Sequence, residues 1–272
     1  MGELKIQYSN KKVTPFGGMK LLKDFMDTTN IIKDLESVNI PQPQSNAGID
    51  PIDIIQGFWL SIFTGASRYI HADWLRYDTV LQNIFDIKRL PSQATYSRFF
   101  HKFSMMKNNE IFPQLQYKFL DQINVGALTI DLDSSVVTRY GNQEGAKKGY
   151  NPKKMGRNSH HPLMAFIDQT KMVANAWLRA GNTSDLKGFW ATEASFRFIM
   201  IAYNIMALFK HQVLNSNMQL KTLRSYCFAL GSWITNHSNQ EVLNIALPQK
   251  KRAWMDGLFE NIKNSSVPYE YT

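Results

Sequence analysis

Residues 128–188 read LTIDLDSSVVTRYGNQEGAKKGYNPKKMGRNSHHPLMAFIDQTKMVANAWLRAGNTSDLKG. The run opens with strict alternation: Leu128, Ile130 and Leu132 alternate with Thr129, Asp131 and Asp133. Side chains on a strand alternate between faces, so Asp131 and Asp133 project together, away from the three aliphatics. A glycine-punctuated basic loop follows, from Arg139 to His160. Two more strand-like runs, Pro162–Ile167 and Met172–Leu178, are joined by the polar turn Asp168–Lys171. Paired carboxylates at the end of a short apolar strand, beside a basic loop, point to divalent-metal and phosphate chemistry. The competing reading is a solvated edge, the commoner fate of two acids on one strand face.

Charge sharpens the picture. The 272 residues carry a formal net charge of +9, but it is unevenly spread. Residues 1–133 hold 14 basic and 14 acidic side chains, whereas residues 134–188 hold 9 basic and 3 acidic ones. The excess follows the two aspartates directly. Within it, Arg139, Lys147, Lys148, Lys153, Lys154 and Arg157 face one opposing acid, Glu144. A concentrated positive field suits a nucleic-acid backbone, because phosphates release counterions when cations neutralise them. A lysine-rich solvated loop is the alternative.

Working outward, the flanks read as helical. Met19–Thr28 carries an apolar stripe, and Ile31–Val38 continues as a short second helix. Asp50-Pro51 forms a cap-and-start pair for a helix running to Phe63, with Gly65 as its terminator. Ala72–Phe85 and Gln93–Met106 follow, separated by a break ending in Pro91-Ser92. This pair is compatible with a helix-turn-helix that presents Gln93, Thr95, Tyr96 and Arg98 to DNA, or with an ordinary helical hairpin, which is the commoner arrangement. Ile111–Ile123 leads into the Leu128 strand. Beyond residue 188, helices are expected over Thr192–Leu214, Leu220–Ile234 and Pro248–Ile262, with a frayed polar tail at Lys263–Thr272. The fold class expected is therefore α+β, mostly helical, with one small antiparallel sheet. Three regions are expected: a helical one over 1–124 with possible DNA binding, the strand-rich 125–188, and a helical one over 189–272.

Other chemistries find little support. A single cysteine, Cys227, rules out an intramolecular disulfide framework and fits a reducing compartment. No secretory signal is visible, and the most apolar run, Ala194–Phe209, is too short for a membrane span. Glycine-rich nucleotide loops and serine-hydrolase elbows are absent. His160 and His161 are neighbours on an extended segment and face opposite ways, so loop-end hydrogen bonding suits them better than shared metal ligation. The aromatic run FWATEASFRF has the spacing of core packing rather than of a base-stacking surface.

Residues 131–166, from DLDSS through GYNP and His161-Pro162-Leu163 to MAF, together with WLRAGNTSDLKG at 177–188, resemble the first catalytic block of prokaryotic insertion-sequence DDE transposases. The likeness is to the subgroup carrying GYNP, HPL and LRxGNT segments. FWATEASFRFIMIAYNIMALFKH (189–211) and TLRSYCFALGSWI (222–234) resemble the end of the same proteins. TPFGGMKLLKDF, GASRY and PSQATYSRFF resemble their beginning. The resemblance implies an RNase H-like core. It implies DNA cleavage and strand transfer with Mg2+ or Mn2+, and terminal inverted repeats as the DNA partner. A homodimer, or pairing with a full-length transposase, and a cytoplasmic, nucleoid-associated setting go with it. It places the first catalytic and metal-binding acid in the LTIDLDSS strand: Asp133, directly before Ser134-Ser135, with Asp131 as the alternative. Arg139, Lys147, Lys148, Lys153, Lys154, Arg157 and Arg98 are the candidate DNA contacts.

One departure stands out. In such transposases a long region separates LRxGNT from FWATEA, carrying the second Asp, a β-rich insertion and the Glu of a Tyr-x2-Arg-x3-Glu-x6-Lys-like signature. Here Gly188 runs straight into Phe189, and no such signature occurs. The expectation is an internally deleted transposase with impaired catalysis: a DNA-binding protein that cannot cut, or a remnant without a role. A third reading borrows missing acids from Glu144, Asp168 or Asp185.

Overall fold

A computed structural model describes residues 5–141, 143–182, 189–238, 240–265 and 269–271. The N-terminal part begins with β1 (Val13–Thr14). Helices α1 (Met19–Thr28), α2 (Ile31–Glu36), α3 (Pro51–Thr64), α4 (Tyr69–Ala72), α5 (Thr79–Phe85), α6 (Gln93–Phe100) and α7 (Met105–Leu120) follow. Local chemistry sets their ends. The Asp50 carboxylate accepts from Ile52 N, Pro51 opens α3, and Gly65 closes it at φ 109°. Asp78, Ser92 and Ser104 cap α5, α6 and α7 in the same way.

The expected Ala72–Phe85 helix is broken. A 3-10 turn at Asp73–Tyr77 separates α4 from α5 and turns Trp74 outward, 76% exposed. The α5–α6 pair is present, but Tyr96 is buried against Phe58 and Tyr69, so it cannot face DNA. That placement suits a packed helical hairpin.

The strand-rich region holds β2 (Ile123–Val125), β3 (Ile130–Ser134), β4 (Val137–Thr138), β5 (Lys147–Lys148), β6 (Asn158–His160), β7 (Leu163–Ile167) and β8 (Val173–Trp177). One antiparallel sheet has the order β3-β7-β8 and another the order β4-β6-β5. The sheet expected from the alternation is thus present, with Asp131 opposite Phe166 and Asp133 opposite Met164. The loop from 139 to 160 is less irregular than expected, since β5 and β6 lie within it.

The C-terminal part starts with α8 (Trp190–Phe209), extended by a π turn over Lys210–Leu214. Next come α9 (Leu220–Leu223) with a π turn over Arg224–Phe228, β9 (Ser232–His237), β10 (Gln240–Ile245), α10 (Gln249–Asn264) and β11 (Tyr269–Tyr271). Two expectations fail here. Leu220–Ile234 is not one helix, because Ser232–His237 pairs with β10 as a hairpin and with β1. The tail is not frayed at its end: β11 pairs in parallel with β2, and the buried Tyr269 hydroxyl meets Thr28 Oγ1 at 2.9 Å.

One apolar core joins the N-terminal helices to α8 and α10. Its centre is aromatic. Phe198 packs on Phe100, Phe103 and Phe112, and the Trp59 indole N–H donates to Phe198 O at 2.9 Å. Truncating one such ring costs about 3–5 kcal/mol, so these contacts decide how α8 sits. The FWATEASFRF run is core, as its spacing indicated. Among the described residues no helix is long and apolar enough to cross a membrane.

Candidate nucleic-acid interface and acid pair

Cross-strand partners in an antiparallel pair share a face. Ile130 and Leu132 therefore lie on the face of Ile167 and Ala165, which are buried. Asp131 and Asp133 lie on the other face, with Phe166 and Met164. The pairing register thus places the two acids side by side, as the alternation indicated. All of β3 is exposed, because it forms the outer edge of its sheet.

Among the described residues, no group of three or more His, Cys, Asp or Glu side chains could hold a metal ion. A two-ion centre needs several carboxylates around ions roughly 3.5–4 Å apart. The donor set present around Asp131 and Asp133 does not fit such a centre. Two of the three acids that could have been borrowed are engaged elsewhere. Glu144 accepts from Thr192 N and Oγ1, both at 3.2 Å, and so caps the first turn of α8. Asp168 pairs with Lys171 in the β7–β8 turn. Asp185 lies outside the described residues.

The basic segment is a folded platform. Asn151, buried, donates to Thr138 Oγ1 at 2.9 Å and accepts from Lys154 N at 3.0 Å, so the GYNP asparagine clamps the turn to β4. Lys147, Lys148, Lys153, Lys154 and Arg157 are exposed and form no ion pair among the described residues. With Glu144 turned onto α8, the nearest acid in sequence does not neutralise them. A cleft of about 170 Å³ gathers Arg139, Lys148 and Arg157 with Tyr140. The Arg157 guanidinium sits 5.9 Å from the centre of the Tyr140 ring.

Arg139 differs from its neighbours. It is half-buried, and its Nε donates to His160 Nδ1 at 2.9 Å. His160 Nε2 in turn donates to Glu144 O at 2.9 Å. Burial holds the His160 pKa below the usual histidine range, which fits a neutral ring accepting from a cation. His161 bonds Ser159 Oγ at 3.1 Å. The histidine pair thus does the loop-end bonding expected of it. Arg98, on α6, does not line this cleft, so the loop and the helix present separate basic surfaces.

Two features escaped the sequence reading. Arg179 donates to His161 O at 3.0 Å and to Ser134 Oγ at 2.8 Å, which brings a guanidinium to the residue after Asp133. Its signal was the LRxGNT segment itself. The second is glycine packing: a Cβ on Gly149 would fall 1.7 Å from Gly181 O. The GYNP and LRxGNT glycines are therefore pressed together, and a larger residue at 149 would push the strands apart. Gly145, at φ 75°, is also closely packed: a Cβ there would fall 2.3 Å from the Phe189 ring.

This arrangement can hold phosphates by charge and present two carboxylates on an open edge. No curated protein and no solved structure matches the chain. A family model does match, over residues 2–192, which is more than half of the sequence, and it is described as Transposase DDE domain group 1. The acidic strand, the basic platform and that match lead to one conclusion: the chain belongs to the DDE transposase family.

Proposed function

We propose that this chain binds DNA through the basic platform of residues 139–157 and does not cut it. Transposases act on DNA, and the family membership supplies that partner. The observation that carries the reading is the contrast at the site: among the described residues, five exposed cations without acidic partners and two acids without a third. The phosphate backbone is read by Lys147, Lys148, Lys153, Lys154 and Arg157. Arg139 is held from within the loop and lines a cleft with Lys148 and Arg157.

The sequence junction Gly188–Phe189 supports an internal deletion, although Gly188 itself lies outside the described residues. In intact relatives Mg2+ or Mn2+ supports cleavage and strand transfer, and the acids missing here are the ones that would complete the metal site. The DNA is then the terminal inverted repeats of an element, and the protein competes for them with a full-length prokaryotic transposase.

The test is a salt-titrated binding assay with element-end DNA and random DNA. Log affinity falls linearly with log salt in proportion to the number of phosphates neutralised. Replacing Lys147, Lys148, Lys153 and Lys154 by Ala is expected to lower the slope by about 3–4. An unchanged slope in that variant means that the platform is merely solvated.

A further inference from the structure

The N-terminal region contains a second basic feature, formed without any residue of the 139–157 platform. It is a pocket of about 450 Å³ between the segment at 41–49 and α6. Arg76, Arg89, Arg98 and Lys102 line it, and no carboxylate does. All four cations are exposed and without an ion pair among the described residues. Nearby acids are engaged elsewhere: Asp50 accepts from Ile52 N, Asp73 from Gln93 N at 3.0 Å and Asp78 from Leu81 N at 2.9 Å, while Asp86 pairs with Lys23 at 3.6 Å.

The wall is partly built in advance. Arg89 donates to Ala47 O at 3.3 Å, and Lys102 donates to Gln42 O at 2.9 Å, which anchors both cations to the loop while leaving further N–H donors free. The hydroxyls of Ser92 and Thr95, 3.0 Å apart, lie on the same wall. Four like charges around one cavity repel each other, and an oxyanion that accepts from several of them relieves the repulsion. Beside Arg76, Trp74 and Tyr77 stand 76% and 85% exposed. They are three apart on a 3-10 turn, so they lie on the same side of it. Exposed aromatic faces next to a guanidinium offer nucleobases a stacking surface.

We propose that this pocket binds a backbone phosphate of a nucleic acid, as a second contact site separate from the platform. The proposal rests on the DNA-binding reading above for the source of the phosphate; the pocket's affinity for an oxyanion stands on its own lining.

Two measurements test it on the full chain. The first is thermal denaturation in sodium phosphate against sodium chloride at matched ionic strength, since a ligand that binds only the folded state raises the midpoint. The second is the salt slope of DNA binding. Arg76 and Arg98 side chains make no hydrogen bond among the described residues, so an R76Q/R98Q double variant keeps the fold. It should lose the phosphate-specific rise and lower the salt slope by about 1–2. Thr95→Glu, which places a carboxylate in the wall, should do the same. The Lys147/Lys148/Lys153/Lys154 alanine variant should keep the phosphate rise, so the two basic surfaces can fail independently. If both pocket variants retain the wild-type phosphate response and slope, the pocket is a solvated cation cluster and the proposal is overturned. Loss of the phosphate response with an unchanged DNA slope overturns the nucleic-acid source and leaves a free phosphate as the ligand.

Discussion

The sheet β3-β7-β8 has two edges, and the chain treats them differently. On the β8 side, Asn204 of α8 takes the place of a neighbouring strand. Its Oδ1 accepts from Val173 N at 2.7 Å and its Nδ2 donates to Val173 O at 2.9 Å. Gln116 of α7 donates to the next carbonyl, Ala174 O. On the β3 side, Ile130 and Leu132 stay 43% and 67% exposed, with the two aspartates on the opposite face. A buried backbone group without a partner is costly, so the sealed edge is where the fold is anchored. An exposed strand edge is usually shortened, charged or covered. Here Asp131 and Asp133 supply the charge.

The strongest way to break this comparison is to unseal the closed edge. Asn204→Leu leaves Val173 N–H and C=O unpaired in a buried site and should cost about 3 kcal/mol. Leu132→Lys on the open edge should change stability by no more than about 0.5 kcal/mol. Urea denaturation midpoints for the two variants decide it; equal losses would mean that both edges are equally engaged.

Next in size is the glycine contact that ties the platform to the segment following β8. Gly149→Ala drives a methyl into Gly181 O. Overpacking against backbone should cost about 2 kcal/mol, read as a lower thermal midpoint. An unchanged midpoint would separate the two motifs that the structure presses together.

The smallest effect sharpens the contrast through pH. The His160 pKa is lowered by burial from its ordinary value of 6.5. Its stabilising contribution is therefore complete above that value and is lost as pH falls through the lower folded value. Amide protection at Arg139 and across β6 should decline on acidification below about 6.5, while Val173, held by Asn204, keeps its protection. Parallel decline at both places would implicate global unfolding instead.

What the sequence disclosed follows from the range of the forces involved. The β3 alternation is a local signal, and so are Asp50-Pro51 and the α8 core face; all three appear where the residues indicated. Ser232–Ile234, the first half of strand β9, fell inside the expected Leu220–Ile234 helix. Strand β9 pairs along its whole length with β10 and, at Ser232 and Trp233, with Thr14 and Val13, far away in sequence. The β11 strand likewise depends on β2 across more than a hundred residues. Trp74 matched a helical stripe, but the 3-10 turn rotates it outward. At the site, acids and cations were legible as residue types. The diversion of Glu144 onto Thr192, and of Arg139 onto His160, required the fold.

The central claim is that a transposase-family chain retains the first acidic strand and the DNA-facing charge but lacks a cleavage centre. Its most direct test is incubation of the purified protein with Mg2+ or Mn2+ and supercoiled DNA bearing the element ends. The account predicts that the DNA stays supercoiled while it is bound. Nicking or strand transfer that disappears in an Asp133→Ala variant would contradict it, and would mean that acids elsewhere in the chain or in a partner subunit complete the site.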